Sequence, residues 1–257
     1  MLPVVVELNP TELCNLQCNF CPRSQDYPNS NYHMSLETVN VVIDHLHELR
    51  EKLPKNKQLV VSNTGRGEPV LHKFFRPTME RLIEFSNQYG PSVQILVNTN
   101  GYKFDDHLDI FLQTDRVFFN VYYNYSYNEY EQFKDKYSQY GNIDVKRRKE
   151  GEESEKVNYN SRSGAILVNN LTDVISTDKS YGYCGKPFLN TFIDWNGDYI
   201  LCCNDWVIME KLDNVHQTSI VDYYNTNPKL QSYKKMLLNR RRTMAPCVTC
   251  NYFDRTK

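Results

Sequence analysis

No run of apolar residues in the 257-residue chain approaches the ~20 that a membrane-spanning helix needs. Net charge is missing too. Thirty Lys and Arg stand against 31 Asp and Glu, a formal charge of -1, which excludes a global attraction to nucleic acid or to an anionic membrane surface. HExxH, GxSxG, P-loop and GxGxxG motifs are all absent, so the commonest signatures of zinc hydrolysis, serine hydrolysis and nucleotide binding do not apply. No internal repeat or low-complexity tract is found. The first residues, MLPVVVELNP, hold no basic region and are too short for a signal core. They read as a strand, and the chain is expected in the cytosol. What remains suits a folded protein: 40% hydrophobic and 24% charged residues, with 19 Tyr supplying most of the aromatics. The length fits one large domain, or one domain with a small appendage.

Eight cysteines need an explanation. In a reducing compartment they point to metal or cluster ligation, or to catalysis, before disulfides. They fall in two groups: Cys14, Cys18 and Cys21, then Cys184, Cys202, Cys203, Cys247 and Cys250. Two groups suggest two metal sites.

The first half alternates strand-like and helix-like segments. Val4 to Leu8 is a short β-branched run. Leu36, Val39, Val42, Ile43, Leu46, Leu49 and Leu53 then recur at helical spacing, with Ser35 as N-cap, a Met34–Val39 staple and Pro54 as the stop. A strand at Leu59 to Ser62, a helix at Phe74 to Tyr89 and a strand at Val93 to Val97 follow. A short helix at Asp105 to Gln113, a strand at Arg116 to Val121, a Tyr-rich helix at Asn128 to Tyr140 and a strand from Ile143 complete the series. Alternation of this kind predicts a parallel sheet with right-handed crossovers, an open or closed α/β barrel whose site lies at the C-terminal strand ends. Residues 146 to 163 are charged and aperiodic and read as an exposed loop. Phe188 to Cys203 reads as a hairpin about Asn196-Gly197. A helical stretch at Leu230 to Leu238 leads to CVTC. The basic runs Lys146–Lys149 and Arg240–Arg242 read as solvated surface, and Tyr122, Tyr123, Tyr125 and Tyr127 as packing residues, one of which could line a pocket.

Three cysteines at C-x3-C-x2-C, just after the first strand, fit three corners of a 4Fe–4S cubane and leave one iron without a protein ligand. An open position on a metal is where chemistry happens. Zinc is the competing reading, but a fourth ligand would have to come from His33.

CNLQCNFC resembles the cysteine motif of the radical S-adenosylmethionine (SAM) superfamily. The resemblance implies that SAM chelates the open iron and is cleaved to a 5′-deoxyadenosyl radical. It implies that Phe20 contacts adenine. Gly65-Arg66-Gly67-Glu68-Pro69, at the end of the second strand, is similar to the family's GGEP segment, where Gly67 and Glu68 would bind the SAM ammonium. Arg66 departs from that pattern, which has a small residue there. Asn98-Thr99-Asn100-Gly101 is similar to the TNG segment. Asn98 and Asn120 end successive strands and could face SAM or substrate, or simply cap turns.

Cys184, a hairpin cysteine and the Cys247–Cys250 pair supply four ligands, enough for a closed 4Fe–4S cluster or a structural zinc. Spacing does not separate the two. CGKPF, FIDWNGDYILCCNDW and CVTC resemble, in order, the twitch (truncated SPASM) domain of radical SAM enzymes. On that resemblance Cys202 is the hairpin ligand. Neighbours on a strand point to opposite faces, so Cys203 is then a small buried residue. Arg162, in SRSGA, loosely resembles an Arg that lies near the substrate hydroxyl in the family's amino-cyclitol alcohol dehydrogenases. An exposed loop Arg is the plain alternative.

These readings together expect a partial (β/α) barrel of the radical SAM type over residues 1–150, a linker over 151–164 and a twitch-like auxiliary-cluster domain over 165–257. The expected cofactors are two 4Fe–4S clusters and SAM, with a reductant such as flavodoxin or ferredoxin as partner. The resemblance implies hydrogen abstraction and a two-electron oxidation of a sugar or cyclitol hydroxyl. The same layout is similar to that of peptide-modifying enzymes that make thioether, carbon–carbon or epimerised products. A non-catalytic zinc or electron-transfer protein is the reading from another class.

Overall fold

The computed structural model describes residues 2–18, 20–122, 124–148, 162–165 and 183–250. Among these residues eight strands form one sheet in the order β5-β4-β3-β2-β1-β6-β7-β8. They are β1 (Val5–Leu8), β2 (Leu59–Asn63), β3 (Val93–Thr99), β4 (Arg116–Val121), β5 (Ile143–Arg147), β6 (Asn190–Ile193), β7 (Asp198–Ile200) and β8 (Lys211–Asn214). The helices are α1 (Leu36–Lys52), α2 (Phe75–Tyr89), α3 (Leu108–Phe111), α4 (Tyr127–Tyr137), α5 (Lys186–Leu189), α6 (Ile220–Thr226) and α7 (Pro228–Leu238). β1 through β5 pair parallel, as the alternating pattern predicts.

Alternation along each strand separates the two faces of the sheet. Val6, Leu8, Val61, Ile95, Val97, Val117 and Phe119 are almost wholly buried against the helices. Fully burying such a side chain contributes about 1.5–3 kcal/mol. The alternate residues Val5, Glu7, Val60, Ser62, Leu96, Asn98 and Asn120 line a single cavity, so the sheet curls around it. α1 begins as its sequence predicts: Ser35 Oγ accepts from Thr38 N at 3.0 Å, a cap contributing about 1 kcal/mol. At its other end the buried Arg50 guanidinium donates to the carbonyls of Leu53 and Pro54.

The hairpin forms about Gly197, whose φ of 84° suits glycine. Its first strand, β6, pairs parallel with β1 from Val5↔Asn190 to Leu8↔Ile193. The hairpin is therefore both the continuation of the barrel sheet and the start of the cysteine-bearing C-terminal region. β8 and α6 were not legible in sequence, being short and lacking a periodic stripe. The linker expected over 151–164 lies outside the described residues except for 162–164. Tyr123 also lies outside them. Tyr122 lines the cavity and Tyr125 stacks edge-on to Phe133, but Tyr127 is 58% exposed, because it begins α4 on the solvent side.

Candidate functional site

The loop after β1 carries the first three thiols. Asn29 holds its start in both directions: its Oδ1 accepts from Cys14 N at 2.9 Å and its Nδ2 donates to Cys14 O at 3.0 Å. Cys21 N donates to Cys18 O at 2.9 Å, and a 3-10 turn over Pro22–Gln25 follows at once. Cys14, Cys18, Cys21 and Phe20 line a cavity of about 150 Å³, together with Gly67 and Glu68. The Phe20 and Tyr122 rings meet with centroids 5.5 Å apart. Burial is the chief cause raising the Cys14 and Cys21 thiols above their ordinary value. His33, the candidate fourth zinc ligand, has both ring nitrogens engaged, Nδ1 with Thr11 Oγ1 and Lys73 N, Nε2 with Asn31.

The Gly65–Glu68 loop packs directly onto this cysteine loop. A Cβ on Gly67 would lie 2.3 Å from Thr11 O and 2.7 Å from Leu13 O, so only glycine permits the approach. Glu68 is 3% exposed. Its Oε1 accepts from Thr99 Oγ1 at 2.7 Å and Val70 N at 3.2 Å, and its Oε2 accepts from Asn100 N at 2.7 Å. The carboxylate therefore joins the GRGE loop to the TNG segment, and its partners lie within the protein. Burial raises its pKa to about 7, with the Asn100 hydrogen bond the largest opposing cause. Asn100 in turn donates to Asn15 Oδ1 at 2.9 Å, with its Nδ2 4.0 Å from Cys14 Sγ.

Arg66, the departure from the family pattern, is the hub of a buried ion network. Its Nε donates to Glu12 Oε1 at 2.6 Å and its Nη2 to Asp194 Oδ1, at the end of β6. Its own N–H donates to Asn9 Oδ1 at 2.7 Å. Arg23, two residues past Cys21, donates to Arg66 O from Nε at 3.1 Å and to Glu12 O. Glu12 precedes Cys14 by two residues, so Arg66 clamps both ends of the cysteine loop and ties them to the hairpin. Burial works against the Arg66 charge, and Asp194 and then Glu12 restore it, leaving the pKa raised. Two cations and two carboxylates balance, as buried charges must. The charged residue inside a glycine turn was the one signal in sequence; its partners were not visible there.

The larger cavity, about 510 Å³, opens inside the sheet. It shares with the smaller one a wall that includes Asn98, Asn120, Tyr122, Arg162 and Trp206. Asn120 holds itself by donating to Phe118 O at 3.1 Å and accepts from Arg148 Nε at 2.8 Å. Arg162 donates to Asn204 Oδ1 at 3.1 Å, and its charge favours the thiolate at both Cys21 and Cys203. It is partly buried in the cavity wall.

The remaining thiols gather beyond β7. Cys202 lies close enough to Cys203, Cys250 and Cys247 for their charges to oppose its ionisation, and Cys247 is likewise influenced by Cys250 and Cys184. Burial is the main cause in each case, holding Cys247 at about 12 and Cys203 at about 11. Arg242 favours the Cys247 thiolate. Cys203 faces the larger cavity, with Glu7 the first charge that acts on it. Thr249 Oγ1 donates to Ser163 O at 2.6 Å and fixes the CVTC turn to the Arg162 segment. Among the described residues, no three His, Cys, Asp or Glu side chains converge as they would around one metal ion. Deprotonated on binding, both groups of thiols would supply the soft anionic donors that an iron–sulfur cluster takes.

Residues 184–251 match the SPASM family model, an iron–sulfur cluster-binding domain. Solved structures match over nearly the whole chain. BtrN in complex with AdoMet and 2-DOIA superposes with a TM-score of 0.74 at 19% identity, covering 98% of this chain and 94% of that one. BtrN in an open conformation gives 0.68 at 17% identity over the same shares. Streptococcus suis SuiB bound to its precursor peptide SuiA gives 0.54 at 14% identity, covering 97% of this chain and 70% of SuiB. No curated protein matches the chain by sequence. No helix among the described residues is long and apolar enough to cross a membrane. Residues 184–251 thus match an iron–sulfur cluster-binding SPASM domain, within a chain that has the fold of BtrN and SuiB.

Proposed function

We propose that the protein is a radical SAM oxidoreductase that removes hydrogen from a carbinol carbon of a sugar or cyclitol. The observation that carries this reading is the common wall of the two cavities, where a cofactor held by Cys14, Cys18 and Cys21 would meet a small polar substrate within the sheet. Bound there, the cluster and SAM would supply a 5′-deoxyadenosyl radical able to abstract hydrogen from an unactivated C–H bond. The protein's own part is to bind, orient and shield. Gly67 and Glu68 shape the SAM pocket, Glu68 by holding the TNG segment against it. Phe20 and Tyr122 offer an aromatic edge for adenine, and Asn98 and Asn120 offer polar groups at the strand ends. Arg162 would stabilise alkoxide character at the substrate hydroxyl, which aids loss of its proton. Cys184, Cys202, Cys247 and Cys250 would hold a second, closed cluster, leaving Cys203 free toward the cavity.

The likeness to BtrN over nearly the full length of both chains supports the small-molecule reading. The weaker likeness to SuiB keeps a peptide-modifying reading as the second. Anaerobically reconstituted protein should contain about eight irons and eight sulfides. With dithionite and SAM it should form 5′-deoxyadenosine. Offered cyclitols and sugars deuterated at the carbinol carbon, it should move deuterium into 5′-deoxyadenosine with one carbonyl formed per transfer. Transfer from peptides alone would favour the second reading. Absence of 5′-deoxyadenosine from fully loaded, reduced protein would refute both, and zinc in place of iron would favour a non-catalytic role.

A further inference from the structure

The basic run Arg240–Arg242 does not behave as one surface patch. Arg240 and Arg241 are exposed, whereas Arg242 is 2% exposed and is the largest fully buried side chain among the described residues. The chain turns sharply after α7, with Arg240 at a φ of 56°, and this sends the third arginine inward. Its Nη1 donates to Cys250 O at 3.3 Å and its Nη2 to Tyr183 O at 3.4 Å. Tyr183 immediately precedes Cys184. One guanidinium thus spans the backbone at two of the four thiols assigned to the auxiliary cluster.

A neutral donor would suffice to hold two carbonyls. Arginine differs in carrying a charge that is never lost. Burying that charge is costly unless negative charge faces it. A cubane held by four thiolates is a net anion, and it gains one further negative charge when it accepts an electron. A fixed cation in a low-dielectric interior stabilises the more negative state of the pair. Asp205, whose charge acts on Cys247 in the opposite sense, is held by hydrogen bonds from Met209 N at 2.9 Å and Glu210 N at 3.3 Å.

We propose that Arg242 is a positioning residue that raises the reduction potential of the auxiliary cluster, so that this cluster can take the electron released by a substrate radical. This rests on the reading of Cys184, Cys202, Cys247 and Cys250 as cluster ligands. In that step the hydroxyl-bearing carbon radical loses one electron to the cluster and one proton from its oxygen, and the C–O bond becomes C=O. The hydrogen abstracted earlier leaves on 5′-deoxyadenosine.

Full-length protein with Cys14, Cys18 and Cys21 replaced by Ala would keep the auxiliary site as its one cluster, which EPR-monitored potentiometry can titrate. In that background Arg242→Gln, which keeps a donor for the carbonyls but drops the charge, should lower the reduction equilibrium constant at least tenfold, about 59 mV for a one-electron couple. Arg242→Lys, which keeps the charge, should stay within a few-fold of the parent. A Gln variant with full iron and an unchanged potential overturns the role given to Arg242 and leaves the cluster assignment standing. Equal falls in both variants overturn it too, since geometry rather than charge would then matter. If the Gln variant fails to hold iron, the Lys variant decides: a fall beyond tenfold with the charge retained is fatal. A parent that takes up no iron at all removes the proposal and the two-cluster reading together.

Discussion

Replacing Arg66 with Met removes the cation from the ion network but nearly conserves the length of the side chain. The cost should fall unevenly on its two carboxylates. Glu12, with its side chain 6% exposed, keeps Arg23 at 3.6 Å and the Tyr27 hydroxyl at 3.2 Å. Asp194, with a side chain 0% exposed, keeps among the described residues only Asn9 Nδ2 at 2.6 Å. Removing one partner of a buried ion pair costs about 3–5 kcal/mol, because the charge left behind is uncompensated. For a chain of this size that corresponds to a melting temperature lower by roughly 6–20 °C. Adding Asp194→Asn to Arg66→Met should restore most of the loss, since no unpaired charge then remains at the hairpin. Adding Glu12→Gln should restore less, since Arg23 already serves Glu12. Thermal and urea unfolding of the anaerobic protein, run as a double-mutant cycle, measures each term. The reasoning fails if Arg66→Met costs under about 1 kcal/mol, or if Glu12→Gln rescues better than Asp194→Asn.

Three further outcomes are expected. Gly67→Ala would drive a methyl group into Thr11 O, so iron content should fall by about half as the first site is lost, while the auxiliary site stays loaded. Cys202→Ser should likewise lose about four irons and Cys203→Ser about none; the reverse result would exchange their roles. Glu68, raised to about 7, contributes stability that is complete below its ordinary 4.5 and is lost as the pH climbs to 7. His72, lowered to about 4 by burial, contributes stability that is complete above 6.5 and is lost as the pH falls to 4. Each shift corresponds to about 3 kcal/mol, and the two slopes oppose each other across the overlap. Glu68→Gln should therefore add an upward slope with pH to the urea midpoints between pH 5 and 6.5; an unaltered profile would show that Glu68 is not held neutral by its surroundings.

What could be read in advance, and what could not, follows from the range of the forces involved. The Ser35 cap, the Val39–Leu49 stripe and the Asn196-Gly197 turn are local, each set by residues within a few positions, and all three form. The cysteine motif was equally legible, because three thiols within eight residues must share a neighbourhood whatever the rest of the chain does. Arg66 was opaque for the opposite reason. Its main partner, Asp194, lies 128 residues away, and nothing near either one announces the other. Seen alone, an arginine in a glycine turn weakens a motif match; with Asp194 and Glu12 in place, it becomes the clamp that holds the matched loop. Arg242 shows the same limit at shorter range. Three consecutive arginines read as one solvated patch, yet a single left-handed residue turns the third into the interior, beside Cys250. Both exceptions are buried cations, at positions where sequence patterns expect hydrophobes. Desolvating them is costly, so the fold keeps them only where fixed negative charge answers them. For Arg66 that charge is two carboxylates already in contact. Arg242 donates to the carbonyls of Cys250 and Tyr183, beside the thiols proposed to hold the auxiliary cluster, and an anionic cluster there would answer its charge and bring its side chain to bear on redox chemistry as well as on packing.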